Sequence, residues 1–199
     1  MTAFITRCLK SSKLFWIGIW LVFATIPVWA EGIVVRKAEA ELADGQLLVS
    51  TRFDIKLTNT LFQAMELGIP LAFRLEFELV RPRITAWYLS LAEWFDPHAH
   101  LIFKLTYQPL INRYRVTIGS LSTFYPSLDS ALAAVGSIQG WRVLDSGELA
   151  GLSPDKVAAR VRLELDFSEL PKPYQLNALG SSEWALTSNW IPLTMKGSG

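Results

Sequence analysis

Asp96, His98 and His100 fall within one short string, DPHAH, which holds both histidines of the chain. Imidazole and carboxylate are ligands for divalent metals. On a strand, positions i and i+2 share a face, so both imidazoles could grip one ion with the carboxylate beside them. The competing reading is a polar loop between strands, because metal sites usually recruit ligands from separate segments. Two carboxylate pairs also share strand faces, Glu76 with Glu78 and Glu164 with Asp166. Paired carboxylates can divide acid and base work. Arg74 and Arg162 accompany them, however, in the pattern of a solvated sheet face laced with cross-strand ion pairs. Tyr174, Trp184 and Trp190 are the aromatic candidates for lining a ligand or partner groove. Their alternative role is to seal the end of a core. No nucleophile elbow, phosphate-cradling glycine loop or helical zinc motif occurs. The residues thus assign no catalytic group and no cofactor. Asp96, His98 and His100 stay as metal candidates, and a serine hydrolase site assembled from scattered residues stays open.

The N-terminus differs in kind from the rest. MTAFITRCLKSSK carries Arg7, Lys10 and Lys13 and no acid, and LFWIGIWLVFATIPVWA comes next without a charge. Val28-Trp29-Ala30 fits a small-x-small cleavage site, between Ala30 and Glu31. A basic region, an apolar region and such a site predict a secretory signal peptide over residues 1–30. The alternative is an uncleaved inner-membrane anchor, since the apolar run approaches the length of a span. The whole chain has 199 residues and a formal charge of +1. Removing the leader takes three cations and no acid, leaving sixteen cations against eighteen acids. Neither state has the basic excess of a nucleic-acid binder. Cys8, the only cysteine, leaves with the leader. The remainder suits an oxidising compartment without disulfides and has no thiol for catalysis or metal binding. The expected location is periplasmic, with the membrane touched only if the leader stays.

Those candidate residues must be held by strands. Period-two alternation dominates residues 31–199. QLLVSTRFDIKL places Leu47, Val49, Phe53, Ile55 and Leu57 on one face and Ser50, Arg52, Asp54 and Lys56 on the other. PLAFRLEFELV sets Leu71, Phe73, Leu75, Phe77 and Leu79 against Arg74, Glu76 and Glu78. VAARVRLELDF repeats the pattern with Val161, Leu163 and Leu165 against Arg160, Arg162, Glu164 and Asp166. Such runs are half-buried strands, and clean alternation favours antiparallel pairing. Further strands are expected at 33–43, 84–94, 101–108, 113–119 and 141–149. Asp44-Gly45 and the Gln108–Asn112 stretch, with Pro109, read as hairpin turns.

Two short helices interrupt, at about 60–67 and 127–135. Thr60 with Gln63 suggests a capping box, and Gly68 a stop. Ser127 caps the second, Asp129 suits its first turn, and Gly136 ends it. Two short helices cannot cover this many apolar strand faces, so much of the burial must be sheet on sheet or in a sheet curled strongly on itself. The expected fold is mainly β, with α+β as the alternative class: an antiparallel sandwich in a single domain over 31–199, with a short flexible tail from about 192. An eight-stranded outer-membrane barrel and a closed ligand-carrying barrel share the same alternation. After Phe167 the alternation stops, and Pro171 and Pro173 cannot sit in a central strand. The segment DFSELPKPYQLNAL therefore reads as a stiff exit from the sheet, pinned by Leu170 and Tyr174.

That segment also carries a resemblance. RVRLELD through LPKPYQLNAL to SEWALTSNW is similar to the C-terminal signature of a bacterial family known as domain-of-unknown-function family 4390. GIPLAFRLEFELVRPR, LTYQPLINRYRV and FYPSLDSALAAVGSIQGW resemble its earlier segments, in order, over nearly all of residues 33–190. ITAWYLSLAEWFDPHAH departs most, which weighs against a metal role for His98 and His100. The resemblance implies an exported protein with no assigned activity, in a family often encoded near a membrane sensor histidine kinase. It carries over no catalytic or binding residue. The expected function is a non-catalytic envelope protein, an interaction or ligand-binding module linked to such a kinase. A carrier of lipid between the sheets is the alternative, and a hydrolase the next.

Overall fold

Alternation in the sequence becomes two facing sheets. The computed structural model describes residues 32–43, 46–80, 98–144, 158–178 and 181–196. In chain order the elements are β1 (Ile33–Ala43), β2 (Gln46–Ile55), α1 (Asn59–Glu66), β3 (Leu71–Val80), β4 (His98–Gln108), β5 (Arg113–Ile118), β6 (Leu121–Tyr125), α2 (Leu128–Gly136), β7 (Ser137–Leu144), β8 (Ala158–Leu165), α3 (Lys172–Ala178), β9 (Ile191–Pro192) and β10 (Thr194–Lys196). A four-stranded sheet has the order β10-β1-β2-β7, and a six-stranded sheet the order β6-β5-β4-β3-β8-β9. Every pairing between these strands is antiparallel except β1 with β10. The fold is the expected mainly β, antiparallel arrangement. Neither sheet closes on itself, so the barrel architectures compatible with the same alternation are not adopted.

The apolar faces of the two sheets meet in one continuous core. Val49 and Phe53 of the smaller sheet join Phe73, Leu75, Phe77, Phe103 and Leu163 of the larger. Phe77 meets Trp141 of β7 edge-on, with ring centroids 6.5 Å apart. One residue of the inner face of β2 breaks the apolar rule. Thr51 is 3% exposed, and its hydroxyl has no hydrogen-bond partner.

The helices are locally specified, with corrections. Thr58, not Thr60, caps α1, its hydroxyl accepting from the Leu61 N–H at 3.3 Å. Thr60 instead donates to the Glu183 carboxylate. Gly68, at φ +84°, ends the helix as expected. The Ile69 N–H returns to the Ala64 carbonyl at 3.1 Å and the Gly68 N–H to Met65 at 2.9 Å, the paired bonds of a left-handed cap. Ser127 caps α2 and forms a capping box with Ser130. Gly136 ends α2, but not through a positive φ. A Cβ there would lie 2.2 Å from the Phe53 carbonyl oxygen, so glycine lets the helix end touch the backbone of β2.

Four elements depart from the sequence-based expectation. β6 and the two-residue β9 are additional strands. A third helix, α3, starts at Lys172, where an extended crossing was expected. Pro171 and Pro173 lie just before the helix and in its first turn, where a missing N–H costs nothing. The exit is still pinned to the core by Leu170, which is buried, and by Tyr174. Finally, the tail expected from about 192 carries on as β10 to Lys196, beside β1. The expected strand at 84–94 and the leader lie outside the described residues, and 145–149 of the expected 141–149 strand do too. Among the described residues no helix is long and apolar enough to cross a membrane.

Two substitutions test this packing. Gly136→Ala is expected to lower stability by about 1–3 kcal/mol through overpacking against β2, read as a drop in the urea midpoint. Thr51→Val removes an unpartnered buried hydroxyl at nearly constant shape, and is expected to raise stability by about 1 kcal/mol in the same assay.

Candidate functional site

The outward face of β4, β3 and β8 gathers most of the residues singled out by type. Strand pairing sets them in rows. Glu76 lies between His100 and Arg162, and Glu78 between His98 and Arg160. Arg74 lies between Ile102 and Glu164. All alternate with core residues, so the register that buries Phe73, Leu75 and Phe77 also presents these charges.

The charges are paired across strands. Arg162 Nη2 is 2.6 Å from Glu76 Oε2 and 3.3 Å from Glu164 Oε2. Arg160 Nε donates to Glu78 Oε2 at 2.8 Å. Arg74 Nε reaches past its row partner Glu164 to donate to Asp166 Oδ2 at 2.9 Å. Lys104 pairs with Glu169 at 3.3 Å. The carboxylate pairs that could have served acid–base chemistry are therefore each engaged by a guanidinium.

Trp190 lies against the same face. The guanidinium carbons of Arg160 and Arg162 lie 4.6 Å and 4.8 Å from its ring centroid. One indole thus accepts two cations on its π surface. Its position depends on Ser188, which is buried. The Ser188 N–H donates to the Leu163 carbonyl at 2.8 Å, and its hydroxyl accepts from the Leu163 N–H at 3.0 Å. A side chain thereby completes a backbone ladder along β8 and leads Trp190 over the arginines.

Asp166 is the most buried charge among the described residues, at 8% side-chain exposure. Burial alone would raise its pKa. Hydrogen bonds from the Ser168 hydroxyl, the Arg74 guanidinium and the Ser168 N–H outweigh burial and hold the carboxyl below its ordinary value. The Ser168 hydroxyl lies 2.6 Å from Asp166 Oδ1 and the Ser168 N–H 3.0 Å from it. These bonds close the 3-10 turn Phe167–Glu169 that starts the exit from β8. Glu164 shifts the other way. Burial raises it, Arg162 opposes this, and Glu76 adds to it.

The remaining candidates fall in different places. His98 and His100 are exposed on β4, opposite Glu78 and Glu76, and Asp96 lies outside the described residues. Among the described residues no group of three His, Cys, Asp or Glu is placed to hold a metal ion. Tyr174 and Trp184 meet each other with ring centroids 6.0 Å apart. Trp184 is buried in the core, so this pair seals the domain where α3 crosses it. Ala30 and Glu31 lie outside the described residues. Sequence reasoning missed Ser188, Ser168 and the Arg74–Asp166 pairing. The alternation of Ser188 with Leu186 was the only local signal for the first.

The Arg74–Asp166 pair has a testable pH signature. A carboxyl with a depressed folded pKa stabilises the fold above its unfolded value, 3.8, and this contribution is lost as pH falls below it. Asp166→Asn is expected to cost about 2 kcal/mol at neutral pH and to flatten the acid limb of the stability curve below that value. Urea titrations across pH check both effects. The raised Glu164 acts oppositely, so that lowering the pH through its folded pKa toward 4.5 adds stability.

A family model described as Domain of unknown function (DUF4390) matches residues 30–194. No curated protein and no solved structure matches the chain.

Proposed function

The chain belongs to the family described as Domain of unknown function (DUF4390), and on that premise we propose that it is a non-catalytic interaction module of the cell envelope. One observation carries the reading. Glu76, Glu78, Glu164 and Asp166, the paired carboxylates of the outer face, are all held against arginines. A carboxylate so engaged spends its oxygens on a neighbouring guanidinium, which leaves them less available to a substrate. The space between the sheets supports the same reading. Phe73, Phe77, Phe103, Leu47 and Leu163 fill it with fully buried side chains, which favours a packed scaffold over a lipid carrier.

The envelope part of the proposal rests on the N-terminus. Residues 1–30 carry three cations, no acid and a long apolar run, the composition of an export leader. A periplasmic domain released from such a leader acts by what it touches. The partner class we propose is a membrane sensor histidine kinase, on the strength of the family resemblance.

Formaldehyde crosslinking of the tagged full chain in cells, with purification from membranes, is expected to enrich one integral membrane protein over a tagged periplasmic control. Equal recovery with both baits sinks the interaction reading. Stoichiometric lipid retained in native mass spectrometry would replace it with carriage.

A further inference from the structure

Four strands end the two sheets, and three of these edges carry features that discourage a further strand. β10 has three residues and holds Lys196 against Glu39 at 2.7 Å. β9 has two residues, one of them Pro192. β7 is irregular in register against β2 and includes Gly140 at φ +62°. Short length, charge, proline and bulges are the usual devices that keep an edge from pairing. β6, LSTFY, has none of them. It has five residues, no charge and no proline, and its register with β5 is unbroken. Among the described residues it has no second neighbour. Leu121 is 75% exposed and Phe124 47%.

Within the two strands at this edge the charge is of one sign, although Glu66 and Asp129 lie near Tyr114 of β5. β5 presents Arg113 and Arg115, and neither β5 nor β6 contains an acid. Arg115 lies directly opposite Phe124. Its Nε is buried and has no hydrogen-bond partner. The contrast with β3 and β8 is direct, because Arg74, Arg160 and Arg162 each have a carboxylate in the same sheet. A guanidinium is a fork built for a carboxylate. A second copy of this chain is a poor occupant. Pairing β6 with β6 would bring four arginines within four adjacent strands and supply no acid.

We propose that β6 is the docking edge for an extended, acidic segment of a partner protein, which adds a strand to the six-stranded sheet. Backbone hydrogen bonds to β6 supply the pairing, Phe124 and Leu121 take apolar side chains, and Arg115 and Arg113 take the carboxylates. The proposal rests on the interaction reading above and gives it a surface and a partner chemistry.

The test places a photo-crosslinking phenylalanine analogue at position 124 of the full chain, in cells, alone and with Arg113→Glu or Arg115→Glu. The expected result is an adduct whose peptide maps to an Asp- or Glu-rich stretch of another protein. Each reversal should lower its yield by about tenfold or more. Arg113 is exposed, so its reversal tests the charge without disturbing packing. An adduct between two copies of this chain overturns the proposal, as does an adduct that both reversals leave unchanged. If position 124 gives no adduct while formaldehyde still captures a membrane protein, the β6 edge is wrong and the interaction reading stands. If neither method captures a partner, both fail.

Discussion

The register of β3 between β4 and β8 governs this molecule. β3 is paired along most of its length on both sides, with β4 from Leu71 to Glu78 and with β8 from Phe73 to Val80, and from Phe73 to Leu79 buried and partly exposed side chains alternate. Leu71, Phe73, Leu75, Phe77 and Leu79 enter the core, while Arg74, Glu76 and Glu78 face outward. A slip of one residue would send every phenylalanine into water and every charge into the core. The cross-strand pairs depend on the same register. Glu76 meets Arg162 and Glu78 meets Arg160 because Leu75 and Phe77 lie opposite Leu163 and Val161. Core and surface are thus two faces of one alignment, and each penalises errors in the other.

Asp166 joins that sheet to α3. It is the residue at which β8 stops, and its N–H donates back to the Ala72 carbonyl at 2.7 Å. Its carboxylate holds Arg74 on one side and Ser168 on the other. Gln175 of α3 then donates to the Ser168 and Leu170 carbonyls at 2.9 Å and 2.7 Å. The chain leaves the sheet through a hydrogen-bonded joint, although two prolines flank it. The hydrogen bonds to Asp166 outweigh its desolvation, so the pair stabilises this joint as well as orienting it.

The long alternating strands were legible in sequence because their signal is local and repeated. β2, β3 and β8 declare their faces residue by residue. α2 was legible through Ser127, although the structural reason for Gly136 lies in Phe53, far away in sequence. α3 was missed because prolines argue against helix except at its start, where they fall. β6 was missed because LSTFY is short and does not alternate cleanly. The cap of α1 was misplaced because two threonines compete, and Glu183 engages both, accepting from Thr58 at its backbone carbonyl and from Thr60 at its carboxylate. For the outer face, the charges could be read but not their partners. Whether Arg74 binds Glu164 or Asp166 depends on side-chain reach across a sheet. Trp190 over Arg160 and Arg162 depends on Ser188 acting as a backbone surrogate.

The parallel pairing of β1 with β10 has a consequence for how the chain matures. The first and last strands of the described fold are neighbours, with Glu39 opposite Thr194 and Glu41 opposite Lys196. Sheet contacts of such long sequence separation form late and slowly. A chain emerging from its N-terminus cannot finish the smaller sheet until Lys196 is free. Completion of this sheet therefore waits until almost all of the described fold, from Ile33 to Lys196, has been made.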